Sequence, residues 1–363
     1  MVEYNSEIGE LEAQISKTKY NKSTQHAVGL MKAKLAKLKE KQEARSGGKK
    51  LEGFDVRKSG DGTVVLIGFP SVGKSTLLND LTNAESKIAA YAFTTLTVIP
   101  GIMHYNEAKI QILDVPGIVK GAASGTGRGR EVLSVLRSAD LALIIVDVLF
   151  PEHYNVLLKE MRDAHLRLNQ EKPEVKLIKA SSGGIRIAST VKLTKIDDDM
   201  IKSVCKEFKI LNADIIIRND IDVDEFIDAL ENNKKYIPAI TVVNKIDLAT
   251  EKQVERVVED VKADLAISAK DKIYTEQLKE LIFEKLDLIR IYLKEPGKEA
   301  DMKVPLIIPR KSKVEDICNK LHKDFVKKFK FCRIWGKSSK FPGQRLMLEH
   351  KLADRDVIEI HLR

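Results

Sequence analysis

The sequence predicts an α/β fold built on a largely parallel sheet, because two features recur through its central region. Four short runs, which read TVVLIG, IQILD, LALIIVDV and AITVVNK, are almost wholly apolar. Each run leads through Gly, Asp or Asn into helix-like sequence. Parallel strands are covered by crossover helices on both faces, so apolar runs that alternate with helices are typical of such a sheet.

The composition narrows the class of protein. Charged residues make up 32% and hydrophobic residues 43% of the 363 residues, as expected for a soluble chain of two or three domains. No apolar run approaches ~18 residues, and the acidic, polar N-terminus differs from a secretory signal. We therefore expect no membrane partner and a cytoplasmic location. The cysteines lack C-x-x-C spacing, so we expect small buried hydrophobes rather than zinc ligands; they are Cys205, Cys318 and Cys332.

The net charge of +9 is unevenly distributed along the chain. Residues 1–50 carry +5 and residues 303–363 carry +9, whereas residues 51–302 carry −5. Basic ends around an acidic centre predict that the ends contact a polyanion.

The first 50 residues predict a helical hairpin with a basic second helix. Apolar residues recur at helical spacing in two stretches, separated by turn and N-cap residues at 21–24. The second helix carries five lysines, Lys32, Lys34, Lys37, Lys39 and Lys41. This stripe is either a solvated face or a polyanion contact, and the sequence leaves both interpretations open.

Three further segments complete the predicted organisation. Residues 171–238 combine strand-like pieces with a helical stretch, which predicts a small α/β subdomain inserted into a central domain of residues 63–290. An amphipathic helix is expected over residues 274–293. Residues 291–363 contain one helix among four short strands, which predicts a β-grasp-like module. In this tail, basic residues surround aromatic ones, and such residues together can contact RNA. For Phe331 and Trp335, however, we favour a position in the core of the module.

A phosphate-binding loop is predicted after the first apolar run. The stretch GFPSVGKS matches G-x-x-x-x-G-K-[ST] and lies between a predicted strand and a predicted helix. Its backbone N–H groups can surround phosphates, while Lys74 neutralises the β- and γ-phosphates and the Ser75 hydroxyl binds Mg²⁺. The predicted nucleotide-binding residues here are Gly68, Phe69, Pro70, Ser71, Val72, Gly73, Lys74, Ser75 and Thr76.

The second apolar run ends in a D-x-x-G motif. Asp114 is a candidate for holding the metal ion, together with Ser75, and Gly117 can donate its N–H to a γ-phosphate. Gly117 and Lys74 are therefore candidate catalytic residues. The next residue is Ile118, where Ras-type enzymes have the glutamine that orients the attacking water.

Two further motifs predict that the base is guanine. In NKID, Asp247 can accept hydrogen bonds from N1–H and the 2-amino group of guanine, which adenine lacks. Asn244 and Lys245 would brace this loop and stack along the base. The later SAK stretch would offer a backbone N–H to the base oxygen; its residues are Ser268, Ala269 and Lys270. Four motifs in this order predict a site for GTP and GDP rather than ATP.

The motifs together resemble those of the Obg-related GTPases. GFPSVGKST, AAYAFTTLT, DVPGIVKGAASGTGRGRE, NKID and SAK carry this resemblance. Over nearly the whole chain the sequence is similar to the developmentally regulated GTP-binding proteins. The resemblance implies GTP hydrolysis, an insert like domain 2 of ribosomal protein S5, a C-terminal TGS domain and a link to ribosomes in translation.

The same resemblance implies the remaining site residues. It identifies Phe93, Thr94 and Thr95 as the first switch element, with Thr95 as a catalytic residue that binds the metal ion and the γ-phosphate. Thr94 could serve nearly as well. It also implies that the family has a hydrophobic residue, here Ile118, where Ras-type enzymes have glutamine. Some relatives use K⁺ held by an asparagine of the phosphate loop, where this chain has Ser71, a weaker ligand, so K⁺ is a second candidate ion beside Mg²⁺.

Three classes of function remain open at this level. The favoured class is a monomeric GTPase switch that acts on the ribosome or RNA, with a regulatory partner protein as an additional candidate. The second is a GTPase that acts through protein partners alone, with the tail as an adaptor. The third adds an RNA-modifying activity, but the sequence offers no second catalytic constellation for it.

Overall fold

The computed structural model describes residues 2–19, 24–46, 60–82, 99–115, 135–136 and 138–363. The chain divides into two compact units, Met1–Gly53 with His165–Tyr236, and Phe54–Ala164 with Ile237–Arg363. The described helices are α1 (Val2–Lys17), α2 (Gln25–Ser46), α3 (Lys74–Thr82), α4 (His153–Asp163), α5 (Asp198–Glu207), α6 (Val223–Glu231), α7 (Glu251–Val261), α8 (Thr275–Lys285), α9 (Val314–Leu321) and α10 (Phe325–Lys328). None of these helices has the length and apolar character that a membrane crossing requires.

The described strands form four sheets. They are β1 (Gly62–Ile67), β2 (Ile99–Tyr105), β3 (Ala108–Asp114), β4 (Leu141–Asp147), β5 (Leu166–Leu168), β6 (Val175–Lys179), β7 (Ile185–Ser189), β8 (Ala213–Ile217), β9 (Lys235–Ile237), β10 (Ala239–Asn244), β11 (Leu265–Ala266), β12 (Leu288–Lys294), β13 (Leu306–Pro309), β14 (Phe329–Trp335), β15 (Gln344–Leu346) and β16 (Asp356–Leu362).

A six-stranded sheet with the order β11-β10-β4-β1-β3-β2 lies at the centre of the second unit. Its strands are parallel except for β2, which pairs antiparallel with β3. Strands β1, β4 and β10 are buried along their whole length, as expected for strands covered on both faces. The predicted α/β fold class is confirmed, and the four apolar runs are its β1, β3, β4 and β10.

Strand β2 is an element that the sequence analysis does not predict. It contains Pro100 and Gly101, both of which weaken a strand signal. Proline is tolerated here because β2 is the edge strand. A Cβ atom on Gly101 would lie 2.4 Å from Cγ2 of Thr82, so glycine allows α3 to pack closely against the strand.

The C-terminal module is a five-stranded sheet with the order β13-β12-β16-β14-β15 and with α9 packed on one face. The expectation of a helix over residues 274–293 is wrong in its second part, because the helix ends at Lys285 and the first strand of this module begins at Leu288. The chain turns at Asp287, whose φ of 50° lies in the left-handed region, and continues as β12. Leu288 and Ile307 of this module also belong to the hydrophobic core of the six-stranded sheet.

In the first unit, α2 of the N-terminal hairpin shares one hydrophobic core with the inserted segment. A sheet with the order β6-β8-β7 packs on α5 and α6, and a separate pair joins β5 with β9. Ala33 of α2 is fully buried in the same core. The division into domains 1–50, 63–290, 171–238 and 291–363 stays a prediction, since packing groups the hairpin with residues 165–236.

Most lysines of α2 form ion pairs within this unit. The pairs, at N–O distances of 2.6, 3.4 and 2.8 Å, are Lys32–Asp224, Lys37–Glu207 and Lys39–Glu12. Lys34 and Lys41 are exposed. The basic stripe therefore serves partly to attach the hairpin to α5 and α6, a role that the sequence does not reveal because the partner carboxylates are distant in the chain.

We expect Ala33→Asp to destabilise the first unit by about 3 kcal/mol or more, because it buries an unpaired carboxylate. The exposed neighbour Lys34 supplies the control, and Lys34→Asp should change stability by less than about 1 kcal/mol. Hydrogen exchange of α5 and α6 in the full chain measures the effect. Unchanged exchange in Ala33→Asp would show that α2 is not part of this core.

The three cysteines are free and buried, as the sequence predicts. Burial raises the pKa of Cys205 to about 11 and that of Cys332 to about 12. The thiols are therefore protonated at neutral pH, and they act as small apolar side chains.

Candidate functional site

The phosphate loop joins the end of β1 to the start of α3. Two of its glycines are required by their surroundings. A Cβ atom on Gly68 would lie 2.8 Å from the carbonyl oxygen of Ile145, and one on Gly73 would lie 2.4 Å from Nδ2 of Asn244. Gly73 also has a φ of 99°, which L-residues rarely adopt. Glycine thus lets the loop pass close to Ile145 and Asn244. The loop ends at the N-terminus of α3, where backbone N–H groups favour an anion.

Lys74 lies at the first position of α3 and points back into the loop. Its Nζ donates hydrogen bonds to the carbonyl oxygens of Gly68 and Phe69, both at 3.0 Å. Burial lowers the pKa of the Lys74 ammonium, and the nearby Asp114 carboxylate acts against this shift. The two hydrogen bonds hold the ammonium of Lys74 inside the loop, beside the position where phosphates would bind.

Ser75 and Asp114 form an oxygen-rich pair that fits Mg²⁺. The two strands β1 and β3 are neighbours, which places Asp114 beside the phosphate loop. The Ser75 hydroxyl donates to Oδ2 of Asp114 at 2.8 Å. Oδ1 of Asp114 is buried and has no hydrogen-bond partner within the described part of the chain. A hydroxyl beside a buried carboxylate oxygen without a partner is the kind of ligand set that Mg²⁺ prefers.

Asn244 connects three loops at the end of β10. Its Nδ2 donates to the carbonyl oxygen of Val72 in the phosphate loop at 2.8 Å. Its Oδ1 accepts from the backbone N–H of Ala269 at 3.0 Å. One buried amide therefore fixes the phosphate loop and both predicted base-binding loops in a single arrangement.

Asp247 is held by the second base-binding loop. The hydroxyl of Ser268, which is fully buried, donates to Oδ1 of Asp247 at 2.6 Å. Asp247 itself is exposed at the surface. The structure brings NKID and SAK together as the sequence predicts, and Lys270 lies exposed at the end of the second loop.

The sequence does not predict two residues of this site, Asp147 and His153. Nζ of Lys245 lies 2.7 Å from Oδ2 of Asp147, at the end of β4. The ring of Phe69 stacks on His153 with centroids 4.0 Å apart. Asp147 could have been found, because it ends an apolar run just as Asp114 does, whereas His153 has no signal in the sequence.

Other predicted residues of the phosphate loop are exposed, and the remaining predicted residues lie outside the described part of the chain. Pro70, Ser71 and Thr76 are exposed, and Ser71 has a left-handed φ of 63°. The residues outside the described ranges are Phe93, Thr94, Thr95, Gly117 and Ile118.

The C-terminal sheet carries a second surface of interest, on the side opposite α9. Cys332 and Ile334 of β14 point into the core, so the residues that alternate with them point outward. The outer face is defined as Lys294, Phe331, Arg333, Trp335, Arg345 and His361. The expectation that Phe331 and Trp335 fill the core is therefore wrong.

Cations and aromatic rings are stacked on this outer face. The guanidinium of Arg345 lies 3.8 Å from the ring centroid of Phe331, and the His361 ring stacks on Phe331 at 4.3 Å. Nζ of Lys294 lies 4.6 Å from the centroid of Trp335. The face thus presents positive charge together with flat surfaces.

A phosphate loop after the first strand, an aspartate at the metal position and two loops suited to guanine define the chain as a P-loop GTPase. Comparison with protein families agrees. Residues 63–180 match the MMR_HSR1 model, which is described as 50S ribosome-binding GTPase. Residues 182–288 match the model of the C-terminal region of the MMR_HSR1 domain, and residues 289–362 match the TGS domain.

Full-length relatives identify the family. An uncharacterised GTP-binding protein of Methanocaldococcus jannaschii is 51% identical, over 98% of this chain and 92% of its own. Developmentally-regulated G-protein 3 of Arabidopsis thaliana is 45% identical over 97% of both chains. Developmentally-regulated GTP-binding protein 2 of Homo sapiens is 41% identical over 97% of this chain and 98% of its own. The chain belongs to the developmentally regulated GTP-binding protein family of Obg-related GTPases.

Solved structures are more distant. The YchF GTPase of Schizosaccharomyces pombe covers 85% of this chain with 100% of its own, at 14% identity and a TM-score of 0.45. The structure of Era in complex with MgGDPNP and a fragment of 16S ribosomal RNA aligns over 76% of this chain and 72% of its own, at 20% identity and a TM-score of 0.35.

The family models and the full-length relatives confirm three predictions. These are the family, the P-loop GTPase fold with a TGS domain, and the GTPase activity.

Proposed function

We propose that this GTPase is a Mg²⁺-dependent switch that acts, as a monomer in the cytoplasm, on the ribosome or on RNA. The observation that carries this proposal is the outer face of the TGS sheet. Cations neutralise backbone phosphates, while aromatic rings and guanidinium planes stack on bases. The charge of +9 in residues 303–363 and the ribosome-binding description of the matched GTPase family point the same way.

The outer face remains positive although the carboxylate of Glu359 lies against two of its residues, Lys294 and His361. Glu359 is 3% exposed and is paired with Lys294 and with His361, whose Nε2 lies 2.6 Å from Oε1 of Glu359. Arg333 and Arg345, which are directly opposite in the pairing of β14 with β15, are both exposed. Two exposed arginines beside a stacked ring form a surface that suits RNA better than a basic or apolar partner.

The double variant Arg333→Glu with Arg345→Glu should lower ribosome binding at least tenfold and flatten its salt dependence, because phosphate contacts release counterions. Affinity for GTP should stay within about twofold, since the face is separate from the nucleotide site. Co-sedimentation with ribosomes over a series of salt concentrations measures the effect.

Lys323→Glu is the matched control for charge, because this exposed lysine lies between α9 and α10 on the other side of the sheet. It should bind ribosomes nearly as well as the wild type. Equal losses in the control and the double variant would count against a specific role of the outer face.

A protein partner is the second candidate, and it rests on two exposed apolar side chains in the loop between β12 and β13. Met302 is 56% and Val304 is 73% exposed. If the TGS domain is only an adaptor for proteins, binding should respond weakly to salt and strongly to changes at these two residues. The same salt series therefore separates the two candidates.

For GTP hydrolysis, we propose that Ser75, Thr95 and Asp114 hold Mg²⁺, which neutralises charge on the phosphates. Lys74 and the N–H of Gly117 would stabilise the γ-phosphate as charge develops on it. Ile118 cannot orient water, so backbone groups, a partner or an ion must do so. K⁺ near Ser71 is the candidate ion.

A further inference from the structure

We propose that Asp147 is a positioning residue for guanine recognition and that it acts through Lys245. This inference concerns the nucleotide site and does not depend on the ribosomal role. Strands β4 and β10 are neighbours, and their last residues, Asp147 and Asn244, lie directly opposite each other. Asp147 therefore lies at the base-binding edge of the sheet.

The carboxylate of Asp147 is fixed by both of its oxygens. Oδ1 accepts a hydrogen bond from the backbone N–H of Leu149 at 3.0 Å, and Oδ2 lies 2.7 Å from Nζ of Lys245. The side chain of Asp147 is 8% exposed and that of Lys245 is 29% exposed. A largely buried carboxylate that is held on one side by the backbone is a rigid anchor for the lysine.

Lys245 needs such an anchor because of its backbone. Its φ of 66° and ψ of 38° lie in the left-handed region, which costs a residue other than glycine about 1 kcal/mol or more. The residues around it are held by other contacts, Asn244 by Val72 and Ala269, and Asp247 by Ser268. Asp147 supplies the contact for Lys245, which lies between Asn244 and Asp247.

The consequence concerns binding rather than hydrolysis. Lys245 is expected to stack along the base, and GTP and GDP share this contact. Without the charge of Asp147, the ammonium of Lys245 loses its partner and its side chain is no longer held beside the base. An interaction that ground state and transition state use equally changes KM and leaves kcat unchanged.

The test compares Asp147→Asn, Lys245→Met and the double variant in the full chain. Asparagine keeps the shape of Asp147 and one oxygen that can accept from Leu149, but it removes the charge and replaces the oxygen that faces Lys245 with an NH2 group. Asp147→Asn should raise the Kd for GDP and the KM for GTP about tenfold, with kcat within about twofold of the wild type. Lys245→Met should have a similar effect, and the double variant should be no more than about twofold worse than the stronger single variant, because both remove one interaction.

Asp140→Asn is the matched control, since Asp140 lies just before β4 at the opposite end of the strand, where its Oδ2 accepts from the N–H of Thr63 at 3.0 Å. This variant should leave the KM for GTP within about twofold, whatever its effect on the thermal unfolding temperature. Additive losses in the double variant, or a KM near the wild-type value in Asp147→Asn, would overturn the proposal. Unchanged GDP affinity in Lys245→Met would also overturn it, even if Asp147→Asn failed to fold.

Discussion

Asp247→Asn is expected to lower the affinity for GTP at least about a hundredfold, or ~2.7 kcal/mol, and to increase the affinity for XTP. The carboxylate can accept from N1–H and the 2-amino group of guanine, whereas the amide places a donor where guanine also has a donor. Xanthine has a 2-oxo group, which can accept from that amide. A site built around such hydrogen bonds strongly rejects a base that lacks them.

Competition binding with GTP, ATP and XTP measures this change of preference. Asp271→Asn is a suitable control, because Asp271 lies in the same loop and its Oδ2 is 3.4 Å from the hydroxyl of Ser268. The control should keep the preference for GTP. Equal affinity of the wild type for GTP and ATP would show that Asp247 does not read the base.

Thr95→Ala is expected to slow GTP hydrolysis more than a hundredfold at saturating GTP, whereas Ile118→Ala should slow it less than about tenfold, or ~1.4 kcal/mol. A metal ligand stabilises the charge that develops on the phosphates, while an aliphatic side chain can neither donate nor accept a hydrogen bond. Both positions lie outside the described residues. Thr94→Ala decides which of the two threonines is the ligand.

Single-turnover rates in NaCl and again in KCl make this comparison. A hundredfold loss in Ile118→Ala, with Thr95→Ala and Thr94→Ala nearly intact, would mean that the catalytic centre is placed wrongly. A large increase in KCl alone would indicate that an ion supplies positive charge despite Ser71. Little difference between the two salts would favour switch backbone groups or a partner.

The parallel sheet could be predicted from the sequence because its signals are local. Each of β1, β3, β4 and β10 is a largely apolar run, and in β3, β4 and β10 the polar residue at the end lies at the edge where the site forms. Asp114 and Asn244 were predicted in this way, and Asp147 obeys the same rule. The contacts between the loops could not be predicted, since Asn244 reaches a carbonyl oxygen 172 residues away.

Other features depend on geometry that the sequence does not display. In β14 the pairing with β16 shifts between Phe329 and Phe331. Strict alternation from the buried Phe329 would place Phe331 in the core, but the shift moves it to the outer face, since one extra residue reverses which side chains point inward. The ion pairs of α2 are hidden for another reason, because Lys32 and Lys37 reach carboxylates that lie in the inserted segment.

A structure of the protein on the ribosome, with a GTP analogue that is not hydrolysed, tests the central proposal most directly. We predict that Arg333 and Arg345 lie within hydrogen-bond distance of RNA phosphates and that a base stacks beside Phe331. A complex in which the outer face of the TGS sheet faces solvent, or contacts only protein, would contradict the proposal.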